Sequence, residues 1–234
     1  MLLLRLCSVF LLTLASCTVV ANVDLSLSGK AEVVARVSAH PSFLAYWKDL
    51  SDLDSTLPTS PVDVVYLKKS LEAQSSKTSP VLTGPTVARQ GAETVVRFTV
   101  PDSRNALGVP GLIQLLPEGD HTRLIVTLDR KALRSVAALT SWSKSTSLNT
   151  LLPAEKAKVT QADYSRLLAY LLEPYDAASS VVVSQSAVEL RVKLPSAPMQ
   201  SEGVAEIQGT TLICRWPLAR VLSLETPVTF RALY

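Results

Sequence analysis

Cysteine and histidine are scarce in this chain, with three cysteines and two histidines among 234 residues. Cys7 and Cys17 lie near the N-terminus, so the rest of the chain holds only Cys214, and an intramolecular disulfide within it is excluded. The two histidines, His40 and His121, are too few for a histidine-rich metal site. A hydrolytic triad would have to use one of them, and no Gly-x-Ser-x-Gly motif accompanies them.

Phosphate-binding glycine motifs are also missing. The eight glycines form neither Gly-x-x-x-x-Gly-Lys-Ser/Thr nor Gly-x-Gly-x-x-Gly, so the sequence predicts no cofactor. A net charge of +3 is too small to indicate nucleic acid as a partner. The acidic cluster Asp49, Asp52 and Asp54 lacks the glycine and the late glutamate of an EF-hand loop. We interpret this cluster as part of a helix and predict no metal site.

A short apolar run opens the sequence and ends at a cysteine. Arg5 supplies a positive charge, residues 6–15 have the length and hydropathy of a secretory signal, and Leu14-Ala15-Ser16-Cys17 follows. This tetrapeptide resembles the lipobox of bacterial lipoproteins, in which the cysteine thiol receives a diacylglycerol. The resemblance implies cleavage after Ser16, a lipid on Cys17 and a fatty acyl chain such as palmitate on the new amine. Two or more such chains hold a protein stably on a membrane.

Two alternatives remain open at this end of the chain. Cleavage after Ala21 would discard Cys17 and release a soluble protein, because Val19-Val20-Ala21 has small or modest side chains where a signal peptidase reads them. The other alternative is a transmembrane anchor, but the apolar run from Leu6 to Ala21 is shorter than the roughly 18 residues that a spanning helix needs. We therefore expect an exported protein that a lipid anchors to a membrane of the cell envelope.

The predicted organisation has three parts. Residues 1–16 are a signal peptide, residues 17–21 a lipidated N-terminus with a short tether, and residues 22–234 a single α+β globular domain. The 218 residues that remain after removal of the first 16 are enough to bury a substantial core. Of the 23 basic residues, only Arg5 leaves with the signal, and the 20 acidic residues stay, so the mature charge is +2.

Alternation of apolar and polar residues predicts a β-hairpin at each end of the domain. The first covers residues 23–37 around Gly29-Lys30, and the second covers 204–216 around Gly209. Single strands are predicted at 95–100, 112–116, 123–128, 188–194 and 228–232.

Helical spacing occurs between these hairpins. It predicts helices at 41–53, about 61–74, from Asp129 onward and at 160–174, with a polar loop at 73–85 and a helical or turn segment at 217–222. Thr160 and Asp163 form a capping-box pattern. Hairpins at both ends with helices between them predict an α+β fold, in which helices cover one side of an antiparallel or mixed sheet.

The last part of the chain has a further resemblance. Residues Gly209 to Tyr234, with Trp216-Pro217-Leu218 and Val228-Thr229-Phe230, together with the opening hairpin, resemble the uncharacterised LppM-like lipoproteins of bacteria. The resemblance covers about a quarter of the chain. It implies a lipoprotein and assigns no catalytic residue.

We predict a non-catalytic domain that binds or scaffolds an unidentified ligand or envelope protein at the membrane surface. One alternative is a carrier of an apolar ligand, since 47% of the residues are hydrophobic. The other is an envelope hydrolase that uses Glu173 and Asp176, which lie beside Tyr170 and Tyr175 at the end of a predicted helix. Cys214 alternates with apolar neighbours, so a buried, inert thiol is predicted there.

Overall fold

A computed structural model describes residues 17–27, 30–75, 82–101, 113–137, 153–155 and 157–234. The described residues form eleven strands and six helices in two sheets. The strands are β1 (Cys17–Leu27), β2 (Lys30–Ala39), β3 (Thr83–Gln90), β4 (Glu93–Val100), β5 (Ile113–Glu118), β6 (His121–Leu128), β7 (Ala187–Lys193), β8 (Gln200–Glu202), β9 (Glu206–Gln208), β10 (Thr211–Pro217) and β11 (Val228–Leu233). The helices are α1 (Pro41–Leu53), α2 (Val64–Ser75), α3 (Arg130–Ala137), α4 (Gln161–Leu172), α5 (Ser179–Gln185) and α6 (Leu218–Ser223).

The larger sheet has seven strands in the order β3-β4-β2-β1-β7-β10-β9. It contains both predicted hairpins, β1–β2 and β9–β10, which β7 joins into one sheet. β7 pairs in parallel with β1, with Val19 opposite Val188, while the other pairs in this sheet are antiparallel. The predicted α+β fold with a mixed sheet is therefore confirmed.

A second sheet has four strands in the order β5-β6-β11-β8, whereas the sequence predicted one sheet. Gly203, directly after β8, shows how closely two of these strands approach. Its φ is +72°, and a Cβ at this position would lie 2.3 Å from the backbone oxygen of Thr229 in β11. Only glycine accommodates both the left-handed backbone and this contact without strain.

Apolar side chains from both sheets and from the helices form one buried cluster. Its largest fully buried members are Trp47, Phe230, Leu67, Leu82, Leu124, Leu168, Leu172 and Leu194. The buried Trp47 side chain carries one hydrogen-bond donor, its indole Nε1, which donates to the carbonyl oxygen of Pro58 at 2.8 Å. One continuous core explains why both sheets and the helices between them form a single packed unit.

The clearest predicted helix is present as α4. Thr160 caps it, since its Oγ1 accepts from the backbone nitrogen of Asp163 while the Asp163 carboxylate accepts from Thr160, which confirms the capping box. Tyr164, Leu168 and Leu172 are buried as the spacing predicts. Leu167 has the same helical spacing but is 40% exposed, so the buried face of α4 is narrower than its apolar stripe.

Three elements were not predicted, one of which is the three-residue strand β8. β3 occupies part of the predicted loop at 73–85 and continues to Gln90, and α5 precedes the predicted strand at 188–194. β3 is an edge strand with Gly84-Pro85 at its start and an irregular register there, a composition typical of loops. α5 contains a run of valines, which favours strands by propensity. Across the described ranges, no helix combines the length and the apolar character that crossing a membrane requires.

Candidate functional site

Cys17, the predicted lipid-attachment residue, is the first residue of β1. Its backbone is in register with Ala39 of β2, and Val19, two residues later, is opposite Val188 of β7. The chain at Cys17 therefore lies at the end of a central strand with a neighbour on each side. Ser16, after which cleavage was predicted, lies outside the described residues.

Residues 17–21, predicted as a short tether, form the first half of β1. Val19 and Ala21 are 0% exposed and belong to the buried cluster. The reason is that the apolar alternation of the first hairpin starts at Val19 and not, as predicted, at Val23. Cys17 is consequently part of β1 itself, with no residue between that cysteine and the sheet.

A cavity of about 270 Å³ lies beside the start of β1. Its wall is formed by Thr18, by residues 38–41 and by the end of α5, which contributes Gln185 and the adjoining Ser186. The lining residues offer hydroxyl, amide and imidazole groups and include no aspartate, glutamate, lysine or arginine. Such a lining forms hydrogen bonds to uncharged polar groups but provides no charge to neutralise an ion.

His40 stands in this cavity wall as the N-terminal cap of α1. Its Nδ1 lies 2.8 Å from Oγ of Ser42 and accepts from the backbone nitrogen of Ser42 at 3.4 Å. Nδ1 of His40 is also 4.0 Å from Oδ2 of Asp176. Ser42 is only 4% exposed, so this serine and histidine form a helix cap and not an accessible nucleophile.

The carboxylates considered for a hydrolase have structural roles. Glu173 is the C-terminal cap residue of α4. Asp176 accepts from the backbone nitrogen of Ala178 at 2.8 Å through Oδ1, while its Oδ2 faces His40. These contacts position the turn between α4 and α5. A hydrolase that uses these two residues stays a prediction.

Tyr175 joins that turn to α1. Its hydroxyl donates to Oδ2 of Asp49 at 2.6 Å, and its ring meets that of Tyr46 edge to face at 6.1 Å between centroids. Because the tyrosine proton is held by a carboxylate, the pKa of Tyr175 is raised to about 12. In the described ranges no group of three histidine, cysteine, aspartate or glutamate residues has the arrangement to hold a metal ion.

Cys214 lies in β10 and is 1% exposed, next to the equally buried Leu212. The predicted burial of this thiol is confirmed. Burial raises its pKa to about 12, so the reactive thiolate is scarce at neutral pH.

The sequence indicated Cys17 but none of the cavity that lies beside it. Thr18, Ser38 and Gln185 belong to three segments that are distant in sequence, and each is an ordinary polar residue in its own surroundings. The β1–β2 hairpin places Thr18 opposite Ser38, and the parallel pairing of β1 with β7 brings Gln185 beside them. No local pattern in the sequence indicates that parallel pairing.

Comparison with known protein families finds no match, and comparison with curated proteins finds none. Among solved structures, the chain is similar to the folded domain of LppM from Mycobacterium tuberculosis, determined by NMR. The two are 12% identical with a TM-score of 0.41, over 94% of this chain and 89% of that domain. So distant a likeness leaves function to be argued from the residues of this chain.

Proposed function

We propose that this chain is a lipid-anchored protein of the bacterial cell envelope, attached through Cys17, whose domain binds or scaffolds a partner at the membrane surface without catalysis. The motif Leu14-Ala15-Ser16-Cys17 after a signal-like apolar run supports the anchor. Cleavage after Ser16 leaves the lipidated cysteine as the first residue of the mature chain.

The position of β1 is the observation that carries this proposal. Cleavage before Cys17 leaves β1 whole, whereas cleavage after Ala21 removes its first five residues. Those five include Val19 and Ala21, which are fully buried. The alternative product would expose core side chains of β2 and β7 that these two residues cover. The position of β1 therefore supports processing at Cys17 over processing at Asn22.

The binding or scaffolding role is supported by the chemistry of the described residues. His40 and Ser42, the histidine and serine that contact each other, form a helix cap. Glu173 and Asp176 lie in the turn between α4 and α5, which Asp176 stabilises through its hydrogen bond from Ala178. The ligand or envelope partner stays unidentified, and an apolar carrier remains the alternative within binding functions.

Metabolic labelling with radioactive palmitate in a bacterium that processes lipoproteins tests the anchor. The native chain is compared with Cys17→Ser and with Cys214→Ser, which removes the buried thiol instead. We expect the label and membrane association in the native chain and in Cys214→Ser, and loss of both in Cys17→Ser. Intact mass of the purified product locates the N-terminus.

Two results would contradict the proposal. One is palmitate label that persists in Cys17→Ser, because the acyl chains would then be attached elsewhere. The other is a native product whose mass corresponds to a chain that begins at Asn22.

A further inference from the structure

The surface around Cys17 has few charged residues. Residues 177–186, which form α5 and the turn before it, contain no aspartate, glutamate, lysine or arginine, and six of the ten are exposed. They include Val181, which is 50% exposed. Thr18 and residues 38–41, which line the cavity with α5, also lack these four residue types. We call Thr18, residues 38–41 and residues 177–186 the Cys17 face.

The opposite end of the same strands is charged. Lys30 and Glu32 are exposed at the start of β2, and Nζ of Lys193 at the end of β7 contacts Oδ2 of Asp24 at 2.9 Å. β1 runs from the Cys17 face toward this charged end, because Cys17 pairs with Ala39 and Leu27 pairs with Lys30. The end of β1 at Cys17, with the adjoining start of α1 and α5, is thus more compatible with a lipid surface than the end at Leu27.

Several charged side chains near the Cys17 face are held by other protein groups. Arg89, at the β3–β4 turn, donates to the carbonyl oxygen of Gly91 and to Oγ1 of Thr94. Arg36 of β2 and Glu93 of β4 form an ion pair at 3.5 Å, and Asp176 lies 4.0 Å from Nδ1 of His40. Charged side chains are costly near the hydrocarbon of a bilayer, whereas serine, alanine and valine are tolerated at its interface. The composition of this face therefore fits close contact with lipid.

The start of β1 fixes which end of the domain meets the membrane. Each residue of a free linker would add up to about 3.4 Å between a lipidated cysteine and the fold. Here that linker has no residues, since Cys17 itself is in register with Ala39 and Thr18 with Ser38. A lipid on Cys17 consequently holds the end of the sheet within a side-chain length of the headgroups.

We propose that the Cys17 face rests on the lipid headgroups, so that the strands of the larger sheet stand up from the membrane and the charged end faces water. This proposal rests on the proposed lipidation of Cys17. Because the face has little charge, the contact does not depend on anionic lipid and is insensitive to salt. Hydroxyl, amide and imidazole groups of the adjoining cavity can bond to the ester and hydroxyl groups of the interface.

The test uses the full lipidated protein in phosphatidylcholine vesicles that are isolated by flotation. Cys214→Ser removes the buried thiol, and one fluorophore is attached at Val181→Cys or Ser184→Cys on the Cys17 face, or at Lys30→Cys on the charged end. These three positions are exposed, so labelling leaves the core intact. Thermal unfolding of each labelled chain verifies that the fold is retained. Quenching is measured with headgroup nitroxide lipids and with aqueous iodide.

For protein that floats with the vesicles, we expect lipid quenching at positions 181 and 184 to exceed that at position 30 by about threefold or more, since a surface in contact with the membrane interface reaches about 5–10 Å into the headgroup region. Iodide quenching should show the reverse order, and adding anionic lipid or salt should leave both ratios unchanged. Floating protein with equal quenching at all three positions would overturn the orientation while leaving the anchor in place. Protein that fails to float would refute the proposed anchor, and this proposal with it.

Discussion

Removing the first five residues of β1 should destabilise the domain, because these residues belong to its core. The comparison is between a chain that begins at residue 17, with Cys17→Ser, and a chain that begins at Asn22. Residues 17–21 are in register with β2 at five positions, and residues 19–21 with β7 at three. Both chains lack the signal and carry no lipid, so they differ in β1 alone.

The size of the effect follows from burial. Val19 and Ala21 are fully buried, and their loss removes roughly 3 kcal/mol of apolar burial. The lost backbone hydrogen bonds, worth about 1 kcal/mol each, are offset by the entropy that five residues regain at about 1–2 kcal/mol each. We therefore expect the free energy of unfolding to fall by about 3 kcal/mol, which lowers the melting temperature by about 6–12 °C for a chain of this size.

Urea and thermal unfolding, followed by circular dichroism, measure this difference. Two point variants separate burial from strand formation: Val19→Ala should cost about 2 kcal/mol, while Val20→Ala on the half-exposed face of β1 should cost much less. If the chain from Asn22 unfolds at the same urea concentration as the chain from residue 17, the start of β1 is not part of the cooperative fold. Processing at Cys17 would then have no support from the position of β1.

Three further predictions concern other parts of the fold. Gly203→Ala should lower the free energy of unfolding by about 3 kcal/mol, because the added Cβ strains a left-handed backbone and clashes with β11. Gly209 has a similar φ but no atom near the position of an added Cβ, so Gly209→Ala should lower it by only about 1 kcal/mol. The pKa of Tyr175, followed through its own ring resonances by NMR as pH rises, should lie near 12, and Asp49→Asn should return it toward 10. Native Cys214 should resist a thiol reagent at neutral pH and react fully once urea unfolds the chain.

Each of these three has a control or a contrary result. Equal losses for the two glycine variants would show that the contact with Thr229 has no energetic effect. Since the pKa of Tyr175 is raised in the folded chain, its bond to Asp49 stabilises the fold below pH 10 and is lost as pH rises through about 12. Asp52→Asn serves as the matched control for Asp49→Asn. The thiol test uses the chain from residue 17 with Cys17→Ser, and rapid labelling of the native chain would contradict burial.

Local patterns predicted much of the secondary structure correctly. The residues that determine α4, Thr160 and Asp163, lie within one helical turn, so their capping geometry is readable from sequence. The strict alternation in β7 and around Gly209 likewise predicted strands that the structure contains. β3 and α5 were missed, because their positions depend on pairing and packing that oppose their local propensities.

The candidate site likewise has one part that the sequence predicted and one part that only the fold shows. Cys17 was found because the signal-like run and the lipobox pattern are contiguous in sequence. The cavity beside it and the low charge of the Cys17 face combine residues from β1, the β2–α1 junction and α5. The β1–β2 hairpin joins the first two, while the approach of α5 follows from the parallel register of Val19 with Val188, residues that are far apart in the chain.

By itself the sequence determined the α+β class, the two hairpins and the residue at which a lipid is expected, because each depends on neighbouring residues or on short periodicities. Tertiary structure alone decided that the strands divide into two sheets and that β1 starts at Cys17 without a tether. It also decided that polar residues from three segments meet there. These features depend on contacts between distant residues, and burial in a shared core selects among pairings that local patterns permit equally.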